Sequence, residues 1–334
     1  MINRLILLCY IYCSSFVSGK PVTKVTNEIV QSANALMSLL NKEQIEAVAF
    51  DFDDDVQRKR WSNLPTSMVP REGLRMGDLD PKQREAVMDI LRSTLSPRGF
   101  QQVLDNMYSE KLLRIRSGAS NRHYSEDEYY FSILGKPSTT EPWMWQYGGH
   151  HLALNATIVK GQATLSPSFT GGNPVDFERD GKKVRQLSGD EDLSHELVRS
   201  FNEEQLKKAL ITGQKGKVIF GPKAKDITPR KEGIQAKNLD QKQQVLLLRL
   251  IKERVGILSE AYSDATMQKI SAQLDNTYFS WFGSIEHGAT SNYRIQGPSV
   301  LIEYFAQGKG HGGHMHTHAM YRDPSNDYGG WIRN

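Results

Sequence analysis

Hydrophobic positions along the chain follow two periods, one typical of helices and one typical of strands. Apolar residues at 87, 90 and 91 keep helical spacing after Asp80, which is followed by proline, a residue that favours the first turn of a helix. Apolar residues instead occupy every second position over 152–158 and over 300–304. This alternation predicts strands that bury one face.

Polar residues at the predicted ends of these elements support the same division. Asn41 is followed three residues later by Gln44, and Asn202 by Gln205. In such a pair each side chain satisfies a backbone N–H that the first helical turn leaves without a partner, so both positions are predicted helix starts. Lys160-Gly161 is typical of a hairpin turn.

The predicted elements occur twice in the same order. The matching segments are 41–45 with 202–206, 73–83 with 233–243, 130–135 with 278–283, and Gly149 with Gly297. The separation between matching segments is nearly constant, which chance does not explain. The sequence therefore predicts an α+β fold with an internal, pseudo-twofold duplication, each half consisting of helices followed by antiparallel β-hairpin strands. The predicted halves are 20–188 and 189–334, and we expect them to form one compact domain.

The overall composition is that of an ordinary globular protein. Among 334 residues, 42 are lysine or arginine and 38 are aspartate or glutamate, giving a formal net charge of +4. This mixed charge gives no case for a nucleic-acid partner.

The N-terminal segment 1–19 has the features of a secretory signal peptide. A short apolar run follows Arg4, and small residues lie near Gly19. Cys9 and Cys13 are the chain's only cysteines and both fall within this segment, so thiol chemistry is excluded for the mature protein. No later segment is apolar over the roughly 18 residues that a membrane span needs. We expect a protein secreted to the extracellular space or the periplasm, without a membrane span.

One segment, 207–237, departs from the even charge pattern, because it carries nine basic residues against two acidic ones. Such a run is most often a solvated loop. The alternative is a dock for an anionic glycan or an anionic surface.

Histidines near the C-terminus form the most informative motif of the chain. His316 and His318 are two residues apart, so on an extended strand their side chains share a face and can hold one ion. Three ligands from one straight strand are too widely spaced, so we expect a third ligand from elsewhere. The alternative is an exposed histidine-rich strand with incidental metal affinity.

Adjacent His150 and His151 are the natural source of that third ligand. Neighbouring strand residues point to opposite faces, and only one of the two need enter the site; His151 shares the more polar face. Glu303 completes a two-histidine, one-carboxylate set if the hairpin register places it opposite the histidine strand. Zinc, copper or iron are the divalent transition metals that such ligands favour.

Charged side chains close to these histidines are candidates for stabilising developing charge. Arg322 falls on the face of His316 and His318, and Arg294 is a second candidate. Asp323 has two interpretations, an acid that orients a ligand imidazole or part of a turn formed with the proline that follows it.

Longer motifs point to a known family. They are 143–155 (WMWQYGGHHLALN), 169–174 (FTGGNP), 293–298 (YRIQGP), and His316-Thr-His318 running on to Pro324. With these motifs the chain resembles the domain-of-unknown-function family 3500, a group of exported proteins, over nearly the whole mature chain. The resemblance implies no established reaction.

These observations leave three functional hypotheses. We favour an exported metal-dependent enzyme, hydrolytic or oxidative, with a histidine-rich site between the two halves and a small-molecule or glycan substrate. The second is a noncatalytic metal- or ligand-binding protein. The third is a structural or adhesive protein that uses the basic segment.

Overall fold

A computed structural model describes residues 20–118, 123–212, 218–286, 290–309 and 315–332. The predicted signal peptide at 1–19 lies outside the described residues, as do His311 and His314.

Helices and strands are both plentiful, as the α+β prediction requires. The α-helices are α1 (Val22–Leu39), α2 (Lys42–Val48), α3 (Asp55–Arg58), α4 (Pro81–Thr94), α5 (Pro97–Ser117), α6 (Ser188–Arg199), α7 (Glu203–Ala209), α8 (Gln241–Val255) and α9 (Glu260–Ala272). Short 3₁₀ helices cover Met76–Asp78, Ala236–Asn238, Leu274–Asn276 and Asp327–Ile332.

The strands are β1 (Ala49–Phe50), β2 (Leu74–Arg75), β3 (Tyr130–Leu134), β4 (Trp143–Gly148), β5 (Leu152–Val159), β6 (Gln162–Thr164), β7 (Ser168–Gly172), β8 (Asp176–Arg179), β9 (Lys182–Arg185), β10 (Ile234–Gln235), β11 (Tyr278–Gly283), β12 (Ser291–Gly297), β13 (Val300–Lys309) and β14 (Met315–Arg322).

Twelve of the described strands form one large mixed sheet. Its main order is β1-β3-β4-β5-β7-β14-β13-β12-β11-β10, with β2 beside β3 and β6 beside β5; β8 and β9 form a separate hairpin. The β1–β3 pair is parallel and the other pairs are antiparallel. The antiparallel pairing of β7 with β14 joins a strand of the first predicted half to a strand of the second, so the predicted halves share one continuous sheet.

The helix starts lie where the sequence predicts them. Asn41, Asp80, Asn202 and Asp240 are all helix caps, and each forms a reciprocal capping box with the glutamine three residues later. Each box satisfies two backbone N–H groups that the helix itself leaves without partners.

Packing on one face of the sheet confirms the predicted periodicities. The apolar side chains at 152–158 pack against α1 and α4 in one buried cluster, and those at 300–304 pack against α8 in another. The hairpin turn at Lys160-Gly161 also forms, with both residues at positive φ. A smaller apolar cluster on the opposite face includes Phe169 and Met320.

Candidate metal centre

Three neighbouring parts of the sheet bring distant histidines together. His151 immediately precedes β5, and His316 and His318 lie on β14. Strand β7 runs between β5 and β14 and bonds to both of these regions. The Gly171 N–H on β7 donates to the carbonyl of His151 at 2.7 Å, and Gly171 also pairs in register with His318. A central strand therefore sets the distance between the two sources of histidine.

The imidazoles of this group converge through the same ring atom. The Nε2 atom of His316 lies 3.0 Å from Nε2 of His151 and 2.9 Å from Nε2 of His318. His151 and His318 are buried and His316 is half-buried. These three residues, which we call the histidine triad, present ligand atoms close enough to hold one metal ion.

Gly171 leaves the space in which the imidazoles meet. A Cβ atom at this position would lie 2.7 Å from Cδ2 of His318, 2.9 Å from the carbonyl oxygen of Thr317 and 3.1 Å from Cδ2 of His151. Any other residue would therefore press on two ligands and on the backbone between them. Position 171 therefore requires glycine because the neighbouring atoms approach the backbone too closely for a side chain.

Helix α5 supplies the outer support of the triad. Glu110 on α5 is buried, and its Oε1 is in close contact with Nδ1 of His151. One turn earlier, the Asn106 side chain donates to the carbonyls of His151 (3.0 Å) and Gly171. Because Glu110 holds Nδ1, the other ring nitrogen of His151 is directed to the triad, an arrangement that is common behind metal ligands.

His150 belongs to the support and not to the triad. Its ring stacks on His151 with centroids 3.7 Å apart and on Tyr124 at 5.2 Å. Its Nδ1 lies 3.4 Å from Oε1 of Glu110. Of the two adjacent histidines, His151 is the one that the structure brings to His316 and His318.

Burial controls the charge of these groups. It lowers the pKa of His151, and burial together with the neighbouring histidines lowers the pKa of His318 well below its usual range. Burial by itself raises the pKa of Glu110, but the imidazoles of His151 and His150 outweigh it and hold that pKa below its usual range. These shifts favour neutral His151 and His318 and an ionised Glu110, and neutral imidazoles are what metal ligation requires.

The side chain of Gln307 on β13 meets the second ring nitrogen of His318. Its amide lies 3.1 Å from Nδ1 of His318. The atom at this distance is the amide nitrogen, which can only donate to the ring nitrogen.

Glu303, a predicted ligand, is not brought to the triad. In the observed register Phe305 lies opposite His318, and Glu303 lies opposite Met320, farther along β14. The Glu303 carboxylate instead accepts the backbone N–H groups of Ile219 and Phe220. The described residues contain two groups that could hold a metal ion, the triad and a second group of Glu110, His150 and His151, and Glu303 belongs to neither.

The predicted charge-stabilising residues are buried in networks of their own. Arg294 pairs with Glu303 at 2.9 Å and with Glu232 at 3.0 Å. Arg322 shares the His318 face of β14, and its guanidinium pairs with Asp327 at 2.9 Å.

Asp323 has the turn role that the sequence offered as one of two interpretations. Its carboxylate accepts the backbone N–H of Ser325 at 2.9 Å and the hydroxyl of the same residue at 2.6 Å. These contacts hold the turn that follows β14.

Sequence reasoning missed two contributors to the site, Glu110 and Gly171. Glu110 lies inside a long helix, where one acidic residue on a buried face is a weak signal. The glycine pair at 171–172 is visible in the sequence, but nothing local says that it faces histidines on both neighbouring strands.

The donor set fits a transition metal. Three neutral imidazole nitrogens suit zinc, copper or iron, and the carboxylate behind His151 is the usual outer partner of such a ligand. In a tetrahedral site with metal–nitrogen bonds of about 2.0–2.1 Å, ligand atoms lie roughly 3.3 Å apart. The 2.9 and 3.0 Å separations in the triad are close to that value.

Fold and site together define an α+β protein with buried histidine and glutamate groups that could hold a metal ion. The profile of the family described as "Protein of unknown function (DUF3500)" matches residues 23–330, so the chain belongs to this family. No curated protein and no solved structure matches the chain. Among the described residues, no helix is both long and apolar enough to cross a membrane.

Proposed function

We propose that this protein is an exported metal-dependent enzyme, hydrolytic or oxidative, whose metal is held by His151, His316 and His318. The observation that carries the proposal is that the Nε2 atoms of His151 and His318 both lie within hydrogen-bonding distance of Nε2 of His316. A hydrogen bond between two neutral imidazoles needs one N–H and one lone pair. A single nitrogen of His316 cannot serve both neighbours well in this way, whereas one cation satisfies three lone pairs at once.

Three protein ligands favour catalysis over a purely structural metal. Structural zinc sites are closed by four protein ligands, whereas catalytic sites keep a position for water or substrate. Among the described residues, no fourth histidine, cysteine or acidic side chain joins the triad. A metal in the triad would act as a Lewis acid and lower the pKa of bound water to about 7.

The chain's own residues prepare the centre for that role. Glu110 contacts the ring of His151, Gln307 contacts that of His318, and burial lowers the pKa of both imidazoles, which favours their neutral forms. Arg322 is the candidate for steadying negative charge, since it shares the face of His318, although its charge is already balanced by Asp327.

We also infer that the two halves are copies of one unit. Gln44 and Gln83 exchange side-chain hydrogen bonds, and so do Gln205 and Gln243 in the second half. At the junction, Ser96 donates its backbone N–H to Ile257, and Ser259 donates to Thr94, which is the reciprocal pattern expected around a twofold axis. The proposed ligands His151, His316 and His318 do not follow this symmetry, so the proposed site needs both halves together.

Metal analysis of the purified chain tests the central proposal. The protein spanning 20–334 is purified without added metal beside the variant His316→Ala/His318→Ala. The control is His123→Ala, which changes an exposed histidine that belongs to neither group of candidate metal ligands. We expect about one equivalent of a single transition metal in the parent and in the control, and its loss from a double variant that still folds. Mixed, substoichiometric metals that the double variant retains would overturn the proposal.

Cobalt substitution separates an enzyme from a noncatalytic metal-binding protein. The visible spectrum of Co²⁺ depends on coordination number, and azide or thiocyanate changes it only where a coordination position is open to solvent. We expect a change on adding these anions. A four-coordinate spectrum that the anions leave unaltered would show a closed site and favour the noncatalytic alternative.

A further inference from the structure

An open cleft with basic walls lies within the second predicted half of the chain. It has a volume of about 620 Å³, and three of its lining residues are the cations Arg230, Lys231 and Lys237. We call it the basic cleft. One end of the basic 207–237 segment forms part of its concave surface. The basic cleft shares no lining residue with the histidine triad.

The positive charge of the cleft is not neutralised from within. No acidic side chain lines it, and among the described residues the three cations form no ion pair. Of the acidic neighbours, Glu232 pairs with Arg294 at 3.0 Å, and Asp226 interacts electrostatically with Arg230 without forming an ion pair. All three cationic side chains are exposed, so a ligand can reach them without displacing an existing partner.

The remaining walls suit a ligand with hydroxyl groups and flat faces. Tyr278 is held in the sheet between β10 and β12, in register with Gln235 and Gln296. The Gln235 amide nitrogen donates to the carbonyl of Asp275 at 2.8 Å, which fixes the side chain and leaves its oxygen as an acceptor. Asn276 adds a second exposed amide. An aromatic face beside fixed amides can receive the C–H face of a sugar ring and its hydroxyls.

We propose that the basic cleft binds an oligosaccharide that carries carboxylate or sulfate groups. Its volume falls in the range of pockets that bind a small ligand or a few linked rings. A lipid bilayer is flat and would meet the rim of a concave surface, and a nucleic acid needs a longer basic track than three clustered cations. This proposal is independent of the metal centre.

Binding to defined probes tests the assignment. Calorimetric titrations use tetragalacturonate for carboxylates and a heparin hexasaccharide for sulfates, beside phosphatidylglycerol vesicles and inorganic sulfate. We expect saturable binding of at least one oligosaccharide that weakens as salt is raised, with little binding of vesicles or sulfate ion.

A matched pair of triple variants distinguishes binding in the basic cleft from general attraction to the positive charge of the segment. Arg230→Gln/Lys231→Gln/Lys237→Gln removes the lining cations, and Lys208→Gln/Lys223→Gln/Lys225→Gln removes three exposed cations of the same segment outside the lining. Both lower the net charge by the same amount. We expect the first to weaken oligosaccharide binding at least tenfold and the second less than threefold. Tyr278→Leu, which alters no charge, should weaken it severalfold.

Three results would overturn the proposal: equal weakening by the two triple variants, binding to vesicles without binding to either oligosaccharide, or no binding to any probe. Unchanged thermal unfolding of each variant shows that the comparison concerns the cleft and not the fold. The metal content of all variants should equal that of the parent, so failure here would leave the metal centre untouched.

Discussion

Two turns at similar places in the sheet have very different chemistry. The turn between β4 and β5 carries His151, which contacts Glu110 on α5. The turn between β12 and β13 carries Ser299, whose hydroxyl donates at 2.7 Å to Gln273, the residue that follows α9. Each turn thus makes a side-chain polar contact with α5 or with the end of α9. In the second turn a neutral hydrogen bond is sufficient, so the fold does not need a histidine and a carboxylate there.

The pairing of β7 with β14 shows the same contrast. Met320 lies opposite Phe169, and both are buried in an apolar cluster. Two positions away, His318 lies opposite Gly171, whose missing side chain leaves room that the imidazoles of His318 and His151 occupy. Burying several polar rings beside a glycine gives up apolar packing, which carries much of the stability of a protein core. Within two residues the pairing of β7 with β14 therefore changes from apolar packing to a group of histidines that could hold a metal ion.

Replacing His151 by serine makes the turn between β4 and β5 resemble the turn between β12 and β13, and we expect this variant to show the largest effect. His151→Ser removes one of three ligands, so we expect Zn²⁺ affinity to fall by more than the roughly 10–100-fold that loss of an outer-shell partner produces. Chelator competition measures the affinity. The control is Ser299→Ala, which removes the hydrogen bond to Gln273. It should lower stability by about 1 kcal/mol without changing metal affinity. Unchanged zinc binding by His151→Ser would refute its role as a ligand.

Glu110→Gln tests the support behind the ligand with nearly constant side-chain volume. We expect zinc affinity to fall by about 10–100-fold, because the amide orients His151 with less charge behind it. Gln273→Glu is the matched change beside the second turn and should leave zinc affinity as it is. Chelator competition again gives the readout, and thermal unfolding of the metal-free forms reports on folding. If Glu110→Gln binds zinc like the parent, the carboxylate has no part in the centre.

Gly171→Ala tests the space between the ligands. The added methyl group would contact His318 and the Thr317 carbonyl, so we expect zinc affinity to fall about tenfold and stability to fall by roughly 1–3 kcal/mol, as overpacking does. Gly330→Ala is the control, because a Cβ atom there meets no atom within 4 Å. Equilibrium denaturation and chelator competition measure the two effects. A Gly171→Ala protein that equals the control in both would show that the space is not needed.

Local patterns predicted most of the fold. The capping boxes, the alternation at 152–158 and the helical spacing at 87–91 all depend on residues a few positions apart, and the structure confirms them. The shared face of His316 and His318 followed from the same kind of reasoning.

Pairings between distant segments could not be predicted in this way. The register of β13 on β14 places Phe305, not Glu303, opposite His318, and a displacement of two residues would have reversed that result. The position of Glu110 depends on how α5 packs over β7, which no local pattern records. The role of Gly171 likewise depends on the histidines that the neighbouring strands bring to both of its sides.

The pairing of β7 with β14 also determines when, during synthesis, the metal centre can exist. His151 comes from the middle of the chain, while His316 and His318 lie on the last strand before its end. Closing so long a loop costs entropy that only the completed sheet repays. A chain still emerging from the ribosome, or one truncated before β14, has no triad. Bound metal would therefore mark a polypeptide that has been translated through β14 and folded.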